Sequence, residues 1–156
     1  MFTLSSSAFA SGGAIPKRYT CDDANVSPPL AWSGAPTGTK SYALIVDDPD
    51  APDPAAPKRV YVHCVLYDIP AAVSELAEGE ASASSVEGAR DGINDDKGRG
   101  WTGPCPPIGR HRYFHKLYAL DVLLGDLGAN ARKGDVERAM SGHVLATAEL
   151  MGTYSR

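Results

Sequence analysis

Several features that would assign this chain to a class of proteins at once are missing. No apolar stretch approaches the ~20 residues that span a bilayer, so we expect no membrane-spanning helix. The 156 residues include three cysteines and no C-x-x-C pair, which signals neither a disulfide framework nor a zinc knuckle. There is no internal repeat and no heptad pattern, which argues against a solenoid and a coiled coil.

An excess of positive charge is missing as well. Fifteen Lys and Arg residues stand against nineteen Asp and Glu residues, which gives a net charge of -4. Because nucleic-acid binding is driven by phosphate neutralisation, we expect no nucleic-acid partner. The first residues lack the basic start and the apolar core of a signal peptide, so we expect a cytoplasmic protein. One disulfide, such as Cys21–Cys105, stays open at this point.

Glycine and proline are abundant, with 16 and 12 residues. This many helix breakers argue against a helical bundle and favour short strands joined by shaped loops. A chain of this length suits one domain, residues 1–156, with a single hydrophobic core. The composition therefore predicts a mainly β single-domain protein.

Three segments have the pattern of strands. Residues 40–46 are a short apolar run, and residues 60–69 are rich in β-branched and aromatic side chains. Alternation along 60–69 predicts one face made of Tyr61, His63, Val65 and Tyr67. The third strand follows a Pro/Gly loop at 103–110, and alternation there predicts a shared face for His111, Tyr113, His115 and Leu117.

The remaining segments are predicted to be loops and one helical region. Residues 16–36 and 78–100 lack a regular pattern and are interpreted as loops. Four prolines in 47–57 argue against a helix or a central strand there. Residues 135–152 are predicted to be helical, with Asp135 as N-cap, Gly152 as C′ residue and apolar side chains at Val136, Met140, Val144, Ala148 and Met151.

Histidines and a stiff loop together suggest an anion site. Pro106 and Pro107 restrict the backbone, so the amide groups of that loop can be held in fixed directions. Fixed N–H donors beside His63 and His111 would bind an anion, and a neighbouring carboxylate would favour protonated histidine.

Other interpretations of the same residues stay open. Each histidine can be structural, and for His143 we favour that interpretation. Asp47, Asp48, Asp50 and Asp53 can be solvated turn residues, which is the favoured interpretation for Asp47 and Asp53. Cys105 can be a catalytic thiol with His111 as base, and a zinc site from His63, His111 and Asp48 is conceivable, although no spacing motif supports either.

Two motifs resemble a known family. The segments DPDAP (48–52) and GPCPPIGRHRY (103–113), the second followed by FHKLYALD, resemble the phosphatidylethanolamine-binding protein family, in particular its bacterial Raf-kinase-inhibitor-like branch. The segments 16–32 and 142–154 resemble the N-terminal segment and the C-terminal helix of that branch. The resemblance thus extends over nearly the whole chain.

The resemblance implies a fold and a ligand-binding pocket. The fold is a large antiparallel sheet packed on a smaller sheet, with Greek-key connections and C-terminal helices. The implied pocket binds phosphate-like anions, including phosphoethanolamine, without a cofactor or metal. Its residues by position are Asp48, His63, Cys105, Pro106, His111 and Tyr113.

The chain also departs from the family pattern. Tyr61 stands where the family usually has Trp, and His115 stands where it usually has a second aromatic residue. Both are candidates for a supporting role behind the ligand contacts, although neutral packing is the favoured interpretation of His115.

The leading functional hypothesis is a non-enzymatic anion-binding module, with a kinase, another protein or a second copy of the chain as candidate partners. The alternatives are a protease inhibitor acting through a surface loop, and a hydrolase that uses Cys105 or a metal-bound water.

Overall fold

Two antiparallel sheets and one α-helix make up the computed structural model, which describes residues 1–156. The elements in chain order are β1 (Thr3–Ser5), a 3-10 turn (Lys17–Tyr19), β2 (Leu30–Ser33), β3 (Ser41–Ala51), β4 (Arg59–Pro70), β5 (Glu75–Leu76), β6 (Arg90–Asp91), β7 (His111–Leu120), α1 (Lys133–Met140) and β8 (Val144–Tyr154). The small sheet has the strand order β1-β2-β5, and the large sheet has the order β6-β4-β3-β7-β8.

The main core fills the space between the two sheets. Leu4 and Trp32 of the small sheet pack with Leu44, Leu66 and Leu117 of the large sheet in one cluster of 20 buried residues. Burial of each such aliphatic side chain contributes roughly 1.5–3 kcal/mol. The predicted fold class, a large antiparallel sheet against a smaller one, is confirmed.

A smaller cluster covers the opposite face of the large sheet. Val136 and Met140 of α1 pack there against Ile45, Val65 and Tyr67. Successive residues of β3 therefore face alternately the space between the sheets and the helix.

The strand β3 is central and longer than predicted. It continues through Pro49 to Ala51, so the expectation that 47–57 lies outside a central strand is wrong for its first five residues. Pairing with β7 ends at Asp47, and the register with β4 shifts between Asp48 and Ala51. Pro49 lies in this irregular stretch, where its missing N–H group interrupts no regular ladder.

A bulge in β4 reverses the alternation that the sequence predicted. Val46 pairs with Cys64, whereas Asp47 pairs with Val62, so His63 is an extra residue in the register. Tyr61 and His63 consequently lie on the side of the large sheet that faces the main core, whereas Val65 and Tyr67 lie on the side that faces the helix. The predicted common face of these four residues is therefore wrong for Val65 and Tyr67.

The predicted helix over 135–152 is only partly present. The helix α1 ends at Met140, and β8 forms ten pairs with β7, from His111–Tyr154 to Leu120–Val144. Arg132, not Asp135, is the N-cap, and the Asp135 carboxylate accepts the Arg132 backbone N–H at 2.9 Å. No helix in the structure has the length and apolar character needed to cross a bilayer.

The two predicted loops contain short strands and buried residues. Residues 30–33 form β2, and Arg90–Asp91 form β6 at one edge of the large sheet. Ala81 and Val86 are buried in the main core, which anchors the otherwise irregular segment 78–100.

Candidate functional site

A pocket of about 380 Å³ lies where β3 and β4 become irregular and β7 begins. All six residues proposed from the sequence line it, namely Asp48, His63, Cys105, Pro106, His111 and Tyr113. Tyr61 lines it as well, whereas His115 does not. The bulge in β4 creates this arrangement, because it turns His63 toward Tyr113, with ring centroids 5.2 Å apart.

Both ring nitrogens of His111 are bonded to protein acceptors. Nδ1 lies 2.5 Å from Oδ2 of Asp48, and Nε2 lies 2.9 Å from the Ile108 carbonyl oxygen. A carbonyl oxygen and a carboxylate only accept, so this geometry assigns a proton to each nitrogen. His111 is thus a buried imidazolium paired with a buried carboxylate. The expectation that His111 donates directly to an anion does not fit these bonds, since no ring N–H is left for a ligand.

The carboxylates of the segment DPDAP fasten the start of β7 to β3. Asp48 accepts the backbone N–H of Asp50 at 2.7 Å through its second oxygen. Asp50 accepts the backbone N–H of Arg112 at 2.9 Å and two guanidinium bonds, at 3.0 and 2.8 Å. The hydrogen bonds from Arg112 hold the pKa of Asp50 below its ordinary value. Asp50 and Asp48 are therefore buried structural acceptors, not solvated turn residues.

His63 has one bonded and one free ring nitrogen. Its Nδ1 donates to the Thr102 carbonyl at 2.8 Å, and no protein group contacts Nε2 by a hydrogen bond. Burial lowers the pKa of His63, and the Thr102 carbonyl and nearby carboxylates only partly offset this effect. The ring is therefore neutral near pH 7, with Nε2 as an unoccupied acceptor in the pocket wall.

Tyr113 and the Cys105 amide supply donors. The Tyr113 hydroxyl has no partner in the protein, and burial raises its pKa, so the group stays protonated and can donate. The backbone N–H of Cys105 likewise has no protein acceptor. Tyr61 packs on His63, with ring centroids 4.9 Å apart, and its own pKa is raised by burial.

Cys105 is joined to Cys21 by a disulfide, which was the pairing left open by the sequence. With its sulfur in this bond, Cys105 has no thiol, and the hypothesis of a Cys105 nucleophile activated by His111 is wrong for this state. The hypothesis of a zinc ion bound by His63, His111 and Asp48 also fails. Both His111 nitrogens are already occupied, so neither offers a lone pair to a metal.

His115 lies beyond the pocket, in the core. Its ring packs between Phe9 and Trp101, with centroid distances of 5.6 and 6.0 Å, and neither nitrogen has a hydrogen-bond partner. Burial lowers its pKa to about 4. The structure therefore places His115 as a neutral packed ring without a bond to His111 or Tyr113.

Several residues at the pocket were missed by the sequence analysis. Arg59 lies at the mouth, where its guanidinium is 5.0 Å from the Tyr61 ring centroid and 3.1 Å from Asp95. Cys21 and Asp96 also line the pocket. Arg59 is the first residue of β4, and extending the alternation of Tyr61 and His63 by two residues could have found it. Cys21 and Asp96 come from loops and have no local signal.

Comparison with known proteins places this geometry in a family. A family model described as phosphatidylethanolamine-binding protein matches residues 5–155. A protein named UPF0098 from Methanothermobacter thermautotrophicus is 49% identical over 154 residues, which cover 98% of both chains. A second protein of that name, from Aquifex aeolicus, is 45% identical and covers 97% of this chain and 86% of its own length.

Solved structures agree with this assignment. A structure from Chlamydia trachomatis described as a homologue of phosphatidylethanolamine-binding protein is 42% identical, with a TM-score of 0.89 and coverage of 99% and 97% of the two chains. E. coli YbcL is 30% identical, with a TM-score of 0.85 and coverage of 99% and 98%. A carboxypeptidase Y inhibitor, crystallised with its cognate proteinase, is 18% identical with a TM-score of 0.62, and it shares the fold.

Proposed function

The chain belongs to the phosphatidylethanolamine-binding protein family, and on that premise we propose that its pocket binds a phosphate-type anion without converting it. The anion is inorganic phosphate, a phosphomonoester or the head group of a phospholipid. These ligands share a phosphate group, whose oxygens surround the phosphorus tetrahedrally and accept hydrogen bonds. The pocket offers donors for such oxygens.

The free Nε2 of His63 is the observation that carries this proposal. The Thr102 carbonyl holds one nitrogen of this buried imidazole and the other is unoccupied, and burial lowers the ring's pKa, so the ring is neutral until an anion binds beside Nε2. An anion bound beside it would raise its pKa and would then accept a charge-assisted hydrogen bond from the new N–H.

Three further groups support an anion at the same place. The Tyr113 hydroxyl and the Cys105 amide are donors without a protein partner. Arg59 adds a positive charge at the mouth. The Asp48 carboxylate repels an anion little, because the His111 imidazolium pairs with it at 2.5 Å.

The same groups argue for binding rather than turnover. The Tyr113 hydroxyl is held in its protonated form by burial, and the Cys105 sulfur is in a disulfide, so neither is an activated nucleophile. What the pocket supplies is a set of fixed donors, as an anion-binding site requires.

Calorimetric titration tests the proposal with inorganic phosphate, phosphoethanolamine and vesicles that contain phosphatidylethanolamine as separate arms. His63→Asn keeps a donor to Thr102 but removes Nε2, and we expect it to weaken binding of inorganic phosphate. The matched control is His143→Asn, because His143 is half-exposed and bonds Asp121 away from the pocket. Equal loss of affinity in both variants, or no binding by the unmodified chain, would refute the proposal.

Regulation of a kinase or another protein would operate at the rim of the pocket. The turn 52–57 and the loop 106–110 form this rim. They lie close together, because a Cβ atom added to Gly109 would be only 3.1 Å from the Pro54 ring. Phosphate in the pocket would then compete with such a partner. Competition between inorganic phosphate and a captured partner is the measurement that checks this extension.

A further inference from the structure

One wall of the pocket is held by a covalent bridge. Cys21 follows the 3-10 turn and is bonded to Cys105, 84 residues further along the chain. Both cysteines line the pocket. Cys105 is exposed and Cys21 is half-buried, so the bridge can be reached from solvent.

Few other bonds join the two segments at this point. The Cys21 N–H donates to the Pro104 carbonyl at 3.1 Å, and the Gly103 N–H donates to Oδ1 of Asn25 at 2.9 Å. The segments also fit closely, since a Cβ on Gly103 would lie 2.4 Å from the Tyr19 carbonyl oxygen. The bridge is the one covalent constraint that keeps this fit.

The segment that the bridge holds carries parts of the anion site. Cys105 contributes a free amide, and Pro106 forms part of the wall. The Ile108 carbonyl accepts the bond from Nε2 of His111. A displacement of this segment would therefore change both the donors and the position of the buried ion pair.

We propose that Cys21–Cys105 is a thiol–disulfide exchange site that controls the pocket, and that its reduction loosens the wall and lowers the affinity for the anion. This inference rests on the proposed function. Reduction removes the constraint on an 84-residue loop, so more conformations become accessible to the proline-rich segment.

The reductant is a dithiol. Its thiolate attacks the sulfur of the exposed residue Cys105, a mixed disulfide forms, and the Cys21 sulfur leaves as a thiolate that takes up a proton. The second thiol of the reductant then attacks the mixed disulfide and releases Cys105 as a thiol. Two electrons and two protons pass to the protein, and the dithiol becomes a disulfide.

The consequence is a pocket that responds to its compartment. A reducing cytoplasm keeps such bridges open, whereas an oxidising compartment preserves them. The pocket would be loose in the first and tight in the second, so the cytoplasmic location expected from the sequence would correspond to the weaker binding state.

Calorimetry with inorganic phosphate, with and without dithiothreitol, tests the inference. Thiols counted after denaturation should rise from the single free Cys64 to all three cysteines. If the segment around Cys105 adopts its binding-competent conformation only a tenth of the time after reduction, the Kd for phosphate rises about tenfold. The double variant Cys21→Ser, Cys105→Ser should match the reduced protein and ignore dithiothreitol, whereas Cys64→Ala should keep the response.

A second readout separates this inference from the proposed function. Amide hydrogen exchange over residues 103–111 should accelerate on reduction while the core strands stay protected. If the oxidised protein binds no phosphate, the proposed function fails. The exchange rates still show whether reduction of the disulfide loosens this wall of the pocket. A change in Kd below about twofold on full reduction, or unchanged exchange rates, would overturn the inference.

Discussion

Two stretches of one face of β7 use histidine in opposite ways: the pocket end at His111, and the middle of the strand at His115, which we call the core end. At the pocket end, His111 donates to two acceptors, and His63 across from Tyr113 donates to one and keeps one nitrogen free. At the core end, His115 is fully buried with both nitrogens unbonded between aromatic rings. One residue type thus acts as a fixed cation, a neutral ring with a vacant nitrogen, and an apolar filler.

The surroundings of each ring, and not its position in the strand, produce these differences. The irregular ends of β3 and β4 bring the Asp48 carboxylate and loop carbonyls to the pocket end. The core end is closed by Phe9 and Trp101, which offer no acceptor oriented toward the ring. Function is therefore expected where the strands are irregular, and packing where they are regular.

The largest effect should come from removing the Asp48 carboxylate at the pocket end. Asp48→Ala leaves the His111 imidazolium buried without its partner, and loss of one member of a buried pair costs about 3–5 kcal/mol. The control is Asp47→Ala on the opposite face, where the partners Lys116 and Lys133 are 28% and 22% exposed and can turn to water. Chemical denaturation measures both. A cost for Asp48→Ala no larger than that for Asp47→Ala would contradict the assignment of the buried pair.

The next effect concerns acid stability at the core end. The pKa of His115 is about 4 in the folded protein, against about 6.5 in an unfolded chain. Between these values only the unfolded state binds the proton, so His115 lowers stability as the pH falls from 6.5 to 4, by about 3 kcal/mol in total.

The variant His115→Phe isolates this contribution. It keeps the ring but cannot titrate, so its stability advantage should grow as the pH falls from 7 to 4, while its phosphate affinity stays unchanged. Denaturation curves of the two proteins at matched pH give the difference. An advantage independent of pH would show that His115 is not the buried neutral ring described here.

A smaller effect, on affinity, should follow from His63→Asn. Removal of a charge-assisted hydrogen bond to phosphate costs roughly 1.5–3 kcal/mol of binding free energy. Stability should change less, because Asn can still donate to the Thr102 carbonyl. Calorimetry with inorganic phosphate checks the first statement and thermal melting the second. A variant that binds like the unmodified protein but melts much earlier would assign His63 to structure alone.

The sequence predicts part of the pocket lining better than it predicts the strands that carry it. Five of the proposed residues come from the two motifs and His63 comes from the strand at 60–69, and all six line the pocket. The bulge at His63 could not be predicted, since it depends on the register between β3 and β4 and not on the local sequence. The segment 144–154 has apolar spacing that suits a helix, but it forms a strand because it pairs with β7 along its length.

The role of His111 also lay beyond sequence reasoning. A histidine beside a proline-rich loop looks like a ligand donor until both ring nitrogens are traced to Asp48 and Ile108. Assigning the hydrogen-bond partner of each ring nitrogen requires distances, because the same residue types in the same order could leave either nitrogen free. The disulfide between Cys21 and Cys105 is similar, since three cysteines allow three pairings.

The pH dependence of phosphate binding tests the central claim most directly, namely that His63 is the group that meets the anion. Burial places the pKa of His63 below its ordinary value in the free protein, and a bound anion raises it. Affinity should therefore be highest in acid and fall by about tenfold per pH unit between these two pKa values. After correction for the ionisation of phosphate, calorimetry on His63→Asn should give a flat profile. An equally steep profile in that variant would contradict the account.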